Sequence, residues 1–240
     1  MSGSTDRLVA VDIGGTHARF VIATIGDDGA IALDEPVTLK TEDHASFQTA
    51  WEDFGRIQGG DLPKAVSIAV AGPVGGDVIR FTNNPWIIRA ALVKEKLKVD
   101  AYTIVNDFGA VGHAVARAPN SDFLHLTGPD EPLAAEGTIS IMGPGTGLGV
   151  AHVWRDGAGN YRVQATEGGH IDFAPHDMIE DAILARLRRR HNRVSVERIV
   201  SGPAIVDIYA TLARMENRAT MEEDDRTIWQ NGMDGSDSLA

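Results

Sequence analysis

Two glycine-threonine loops stand at corresponding points of two stretches of the chain that share one pattern of strands and turns. A glycine-rich turn between adjacent strands lets backbone N–H groups approach an anion closely, and a threonine hydroxyl adds a further donor. Either loop alone is more consistent with a tight hairpin, but two of them in a repeated pattern favour a pair of phosphate-binding loops. The residues of the two loops are Gly14, Gly15 and Thr16, and Gly145, Thr146 and Gly147.

A carboxylate comes just before the first loop. Asp12 follows a short apolar run and is suited to hold a magnesium ion through a bound water. Neither loop is a Walker P-loop, because no Gly-Lys-Ser/Thr follows, and neither is a dinucleotide fingerprint, which needs a helix after its glycines. The loops therefore belong to neither of these nucleotide-binding motifs.

Asn106 and Asp107 follow the apolar run 101–105, which predicts an interior strand. Ligands of α/β proteins bind where strands end, and a sugar hydroxyl becomes a good nucleophile only when a base takes its proton. Asp107 is a candidate for that base. The alternative is that Asp107 caps a helix beginning near Phe108, and the local sequence leaves both interpretations open.

Acceptors for sugar hydroxyls are predicted in two later segments. Glu167 and His170 lie in a Glu-Gly-Gly-His sequence, where the side chains supply acceptors and the glycines bring the backbone close to a ligand. Glu197 is a candidate for a further carboxylate acceptor. The alternative for His170 is a structural histidine, and for Glu197 an exposed glutamate in the first turn of a helix, where the dipole favours it.

The predicted elements repeat along the chain. Strands are predicted at 8–11, 19–25 and from 31 onward, and again at 137–142, 150–154 and 161–165. The intervening segment predicts a helix at 46–54, strands at 65–71, 78–81 and 101–105, and a helix at 110–118, and further helices follow near 179–187 and 205–212. The tail 221–240 is polar, without a clear apolar stripe beyond Ile228 and Trp229. This duplication predicts two related α/β domains, 1–110 and 111–240, with helices on the faces of a mixed sheet.

Composition excludes several classes of protein. The 240 residues are 43% hydrophobic, which is enough for a sizeable core, and the net charge of −12 argues against a nucleic-acid partner. The one basic cluster, Arg186 to Arg190, is expected to be the solvated last turn of a helix. The absence of cysteine excludes disulfides and thiolate zinc sites. With neither a signal-peptide core nor an apolar run of membrane-spanning length, we expect a cytoplasmic protein with no membrane partner.

Seven separated motifs, from about residue 8 to about residue 217, resemble in order those of bacterial glucokinases. The motifs are Asp12-Ile13-Gly14-Gly15-Thr16, Ala71-Gly72-Pro73, Thr82-Asn83-Asn84-Pro85-Trp86, Asn106-Asp107-Phe108, 143–149, Glu167-Gly168-Gly169-His170 and Ser201-Gly202-Pro203. The resemblance implies the sugar-kinase/actin superfamily fold, with duplicated ribonuclease H-like α/β domains around a central cleft.

The resemblance also implies a reaction and roles for these residues. It implies phosphoryl transfer from ATP, with Mg²⁺, to the 6-hydroxyl of glucose, with Asp107 as the base and the two loops on the phosphates. The further sugar contacts that it implies are Asn83, Asn106, Glu167, His170 and Glu197.

Two departures from the family pattern bear on function. The related repressor/kinase group carries a cysteine-rich zinc motif that this chain lacks, so the resemblance is to the zinc-free branch. The family's adenosine-binding motif and closing helices have no counterpart after Asn217. We therefore expect glucose to bind, ATP to bind weakly and turnover to be low, with exposed apolar surface favouring self-association, for example as a homodimer. The alternative function is a sugar-binding or regulatory protein of kinase ancestry without full activity.

Overall fold

The computed structural model describes residues 6–81, 84–220 and 224–240, and it divides into two compact units, 1–117 and 118–240. The sequence pattern predicts a boundary between the two domains at 110/111, whereas in the structure the first unit ends after the helix Asp107–Arg117. This helix contacts the strands Ala65–Val70 and Ala101–Asn106, and these contacts hold it in the first unit.

Within the described residues the first unit contains eight strands and three helices. The strands are β1 (Asp6–Ile13), β2 (His17–Ile25), β3 (Ile31–Leu33), β4 (Val37–Lys40), β5 (Ala65–Val70), β6 (Val78–Arg80), β7 (Ile87–Arg89) and β8 (Ala101–Asn106), and the helices are α1 (Phe47–Ile57), α2 (Val93–Leu97) and α3 (Asp107–Arg117). The predicted strands and helices of this unit are confirmed, while β4, β7 and α2, the last only five residues long, were not predicted.

The main sheet of the first unit is mixed, as the alternation of strands and helices predicts. Its order is β3-β2-β1-β5-β8, with β4 paired to β2; β1 is antiparallel to β2 and parallel to β5, which is parallel to β8. In register, Ile13 pairs with Val70 and Val70 pairs with Asn106, so three parallel strands end at one edge. Within the described residues β8 is the last strand of this order, so the prediction of an interior strand at 101–105 is wrong.

Helix α1 covers one face of this sheet because its apolar residues recur at helical spacing. Ser46 caps the helix by accepting from the Thr49 N–H, while the Thr49 side chain accepts from the Ser46 N–H. Its buried Phe54 stacks on Phe20 of β2 with ring centroids 5.1 Å apart. The sheet that carries residues 14–16 therefore packs on a well-formed core.

The second unit contains three strands and three helices among its described residues. They are β9 (Glu136–Pro144), β10 (Leu148–Asp156), β11 (Tyr161–Thr166), α4 (Met178–His191), α5 (Gly202–Met215) and α6 (Asp225–Asp234). The strands form an antiparallel meander in the order β11-β10-β9, which confirms the three predicted strands. A buried cluster on and after α4 is formed by Ile183, Leu184, Leu187 and Val194.

The polar tail contains a helix, α6, that was not predicted from the sequence. Asp224 caps α6 by accepting from the N–H groups of Arg226 and Thr227, both at 3.0 Å. Ile228 is buried and Gly235 adopts a left-handed conformation after the last turn. The helix is thus specified by its two ends and a single buried side chain.

The basic cluster is only partly solvated. Arg190 and Arg186, on α4, both reach the carboxylate of Asp207 on α5, with the Arg186 Nε 3.7 Å from Oδ1, and Asp207 is buried. Arg188, Arg189 and Arg190 are exposed, which confirms the solvated last turn of the helix, whereas Arg186 is partly buried. No helix within the described residues is long and apolar enough to cross a membrane.

Candidate active site

The first phosphate loop, residues 14–16, joins β1 to β2 and is held through its carbonyl oxygens. Gly14 accepts from the Asn84 side chain at 3.2 Å, Gly15 from the Thr41 hydroxyl at 2.9 Å and Thr16 from the Thr41 N–H at 3.0 Å. No hydrogen bond among the described residues uses the N–H groups of Gly15 and Thr16. The loop therefore offers donors to an anion while its acceptors are occupied.

Asn84 and Thr41 are supporting residues that the sequence analysis missed. Asn84 is buried and also accepts from the Trp86 N–H at 2.9 Å, while the Trp86 indole donates to the His44 carbonyl at 2.9 Å. Asn84 belongs to the motif Thr82-Asn83-Asn84-Pro85-Trp86, which could have indicated its role, whereas no local pattern marks Thr41. The predicted sugar contact Asn83 lies outside the described residues.

Asp12 is the candidate for the magnesium position. Its half-exposed carboxylate lies at the end of β1 and accepts from Arg19 at 3.0 Å. Magnesium in phosphoryl-transfer sites is commonly held by one or two carboxylates together with substrate phosphates and water. A single accessible carboxylate of this kind fits a metal that arrives with a nucleotide.

Asp107 lies at the edge of the sheet where β1 and β5 also end. Burial raises the pKa of Asp107 above its ordinary value, and the charge of Asp12 adds to this, against the opposing hydrogen bond from the Phe108 N–H to Oδ1 at 2.9 Å. Among the described residues no Lys, Arg or His forms an ion pair with this carboxylate. A half-buried carboxylate with a raised pKa is suited to accept a proton.

Asn106 performs the capping that the sequence analysis considered for Asp107. Its Oδ1 accepts from the Gly109 N–H at 3.1 Å, and its Nδ2 donates to the Gly72 carbonyl at 3.2 Å. Gly72 has a φ of 151°, a value that favours glycine. Asn106 therefore ties the start of α3 to the turn after β5, and it fixes the backbone from which Asp107 projects.

The second phosphate loop, residues 145–147, joins β9 to β10. Gly145 donates to the Gly147 carbonyl at 2.8 Å, and the Gly202 N–H, at the start of α5, donates to the Gly145 carbonyl at 2.8 Å. The N–H groups of Thr146 and Gly147 take part in no hydrogen bond within the described ranges. Both loops thus present two successive backbone donors.

Glu197 lies against the second phosphate loop on a single 3₁₀ turn, Val196–Arg198. Its side chain is 25% exposed, and its Oε2 accepts from the Leu148 N–H at 2.9 Å. Its other oxygen, Oε1, lies 3.7 Å from the His170 Nδ1. The alternative of an exposed, purely local glutamate is therefore wrong.

Glu167 and His170 lie on the loop that follows β11, and in space this loop lies beside Glu197. The His170 Nε2 is 3.6 Å from a Glu167 carboxylate oxygen, and the two side chains are 53% and 71% exposed. The Arg193 guanidinium donates to the His170 carbonyl at 2.7 Å and holds the loop. Two carboxylates and an imidazole thus meet at one polar, accessible place, which suits recognition of a polyol.

A cavity of about 190 Å³ opens beside the second loop and Glu197. Thr146, Arg198 and Ser201 contribute to its lining. A cationic side chain, hydroxyl groups and a backbone loop with unused N–H groups are the usual surroundings of a bound phosphate.

Solved structures with this fold are sugar kinases of the α/β class. The glucokinase from an Antarctic psychrotroph matches with a TM-score of 0.80 and 28% identity, covering 98% of this chain and 72% of that one. The glucokinase from Balamuthia mandrillaris, solved in complex with glucose, matches with a TM-score of 0.74 and 21% identity over 98% of this chain and 71% of that one.

Sequence comparison defines the family. The family model described as glucokinase matches residues 8–240. The glucokinase of Zymomonas mobilis is 54% identical over 234 residues, which are 98% of this chain and 72% of that relative. This chain belongs to the glucokinase family, which confirms the resemblance seen in the sequence.

Proposed function

We propose that the protein is a glucokinase that transfers the terminal phosphoryl group of ATP to the 6-hydroxyl of glucose, with Asp107 as the general base. The observation that carries the proposal is the position of Asp107 on the sheet edge that also bears the first phosphate loop. Family membership and the chemistry of this carboxylate support the role.

Asp107 acts on the sugar hydroxyl. The hydroxyl donates to the carboxylate in the ground state. Its proton passes to the carboxylate as its oxygen bonds to the γ-phosphorus, while the bond from that phosphorus to the bridging oxygen breaks and ADP leaves with the electron pair. The raised pKa of Asp107 makes it a better proton acceptor than an ordinary aspartate. Glucose is held through its other hydroxyls by Asn83, Asn106, Glu167, His170 and Glu197.

The phosphate chain is held by backbone donors. The unused N–H groups of the two loops bind its oxygens, and the Thr16 and Thr146 hydroxyls add further donors. Asp12 holds the accompanying Mg²⁺ through water, and this ion offsets the negative charge of the phosphates. The proposal includes a duplicated origin of the two units and a cytoplasmic location.

The test is replacement of Asp107 by Asn. We expect kcat to fall by about 10²–10⁴-fold while the glucose dissociation constant stays within about tenfold, because a base acts chiefly in the transition state. In the unaltered protein kcat should rise with pH through the raised pKa of Asp107, since only the carboxylate accepts a proton. Near-normal turnover of Asp107→Asn would leave this residue a structural role alone.

The second candidate is a sugar-binding or regulatory protein without full activity. The observation that favours it is the accessible Glu167, His170 and Glu197 cluster, which binds a polyol without need of a nucleotide. Separate calorimetric titrations with glucose and with Mg-ATP distinguish the two candidates. Binding of both ligands supports the kinase, and binding of glucose alone supports the second candidate.

A further inference from the structure

Glu197 touches two functional segments at once. Its Oε2 accepts from the Leu148 N–H, one residue after the second phosphate loop, at 2.9 Å. Its Oε1 faces the His170 Nδ1 at 3.7 Å, on the side of the predicted sugar contacts. One carboxylate therefore has one oxygen on each segment.

The loop is shaped around this carboxylate. A Cβ added at Gly147 would overlap the Glu197 Oε2 and lie 3.1 Å from its Cδ. Gly147 has no positive φ, so the backbone conformation does not require glycine there. The absence of a side chain at Gly147 is explained by the space that the Glu197 carboxylate occupies.

We propose that Glu197 is a positioning residue that couples the sugar site to the second phosphate loop. This inference rests on the proposed function and adds to it a physical link between the two substrates. A glucose hydroxyl that donates to Oε1 fixes the plane of the carboxylate. With the carboxylate plane fixed, Oε2 stays directed at the Leu148 N–H. This hydrogen bond holds the second phosphate loop in the conformation that binds phosphate. Because coupling between two ligands is reciprocal, bound phosphate tightens glucose binding by the same factor.

The first test is a change on the phosphate loop that is read out as glucose affinity. Gly147→Ala displaces Oε2, and because this is the end of a flexible side chain the fold tolerates the change. Glucose binding measured by calorimetry should weaken about tenfold, the value of one charge-assisted hydrogen bond, without a lower melting temperature. Gly75→Ala is the control with the same chemical change, because a Cβ there enters open space on a residue outside both predicted binding sites, and its glucose affinity should stay within about twofold.

The second test measures the coupling directly. The dissociation constant of the non-hydrolysable analogue AMPPNP with Mg²⁺ is determined with and without saturating glucose. We expect glucose to tighten AMPPNP binding at least about fivefold in the unaltered protein. In Glu197→Gln this factor should fall below about twofold, because the amide keeps only one acceptor oxygen for its two partners.

Glu167→Gln is the control with the same chemical change. It should weaken glucose binding yet retain the coupling factor at saturating glucose, because no hydrogen bond or ion pair in the described ranges joins Glu167 to the phosphate loop. The inference is overturned if Gly147→Ala binds glucose normally, if Gly75→Ala is equally impaired, or if Glu197→Gln keeps the full factor.

The failure of the coupling and the failure of the proposed function give different results. Tight binding of both ligands with a coupling factor of one refutes the coupling and leaves the kinase function intact. Absence of glucose binding, or of AMPPNP binding, by the unaltered protein refutes both.

Discussion

Gly169 is a position where one methyl group should disturb the predicted sugar contacts. It is buried on the 3₁₀ turn that carries His170, directly against Leu148 at the end of the second phosphate loop. A Cβ at this position would overlap the Leu148 carbonyl oxygen and lie 3.1 Å from its Cβ. The conflict is with backbone, so no side-chain rotation relieves it.

The size of the effect follows from the required movement. Restoring an ordinary contact needs a relative shift of roughly 0.5–1 Å between the turn and the start of β10, and overpacking of this kind costs about 1–3 kcal/mol of folding free energy. A displacement near 1 Å of positioning groups can lower a rate by about 10²-fold. We therefore expect Gly169→Ala to bind glucose about tenfold or more weakly and to lose about 10²-fold in kcat/KM.

Calorimetry with glucose, steady-state kinetics and urea unfolding give the three quantities. Gly168→Ala is the matched control, because its Cβ would meet side-chain atoms, Val150 Cγ1 at 3.1 Å and Thr166 Oγ1 at 3.2 Å, which can move by a few tenths of an ångström. If Gly169→Ala were indistinguishable from the unaltered protein in glucose affinity and kcat/KM, the tight contact with Leu148 would have no functional meaning.

Two further predictions concern stability. Burial opposes charge on His44, but hydrogen bonds to the Lys40 carbonyl at 3.0 Å and to Asp53 at 2.9 Å outweigh it and raise the pKa of His44 above 6.5. The charged form of His44 therefore stabilises the fold fully below pH 6.5, and this contribution is lost as the pH rises through the raised pKa. The melting temperature of the unaltered protein should fall over this pH range, and that of His44→Gln should fall less. Equal pH profiles of the two melting temperatures would refute this. Asp207→Ala should lower the free energy of unfolding in urea by about 1 kcal/mol, because it removes the shared partner of Arg190 and Arg186, whose side chains remain accessible to water. An unchanged free energy of unfolding would show the pair to be dispensable.

Local sequence was sufficient where a local signal specifies the structure. The apolar runs of β1 and β5 and the apolar spacing of α1 indicate their elements, because the periodicities of strands and helices involve only neighbouring residues. Helix α6 was missed because its sequence is polar overall and only Ile228 is buried, while its packing against α5 arises in the folded chain.

The sequence by itself determined the family, the two phosphate loops as candidates and the residue types available for chemistry, because short motifs carry these in consecutive residues. Only the tertiary structure decided how the candidates are supported. Glu197 meets Leu148 from 49 positions away, and Asn84 meets Gly14 from 70 positions away. The raised pKa of Asp107 likewise depends on burial and on Asp12, which lies on another strand. Contacts and desolvation between distant segments arise only when the chain has folded, so no local pattern could have supplied them.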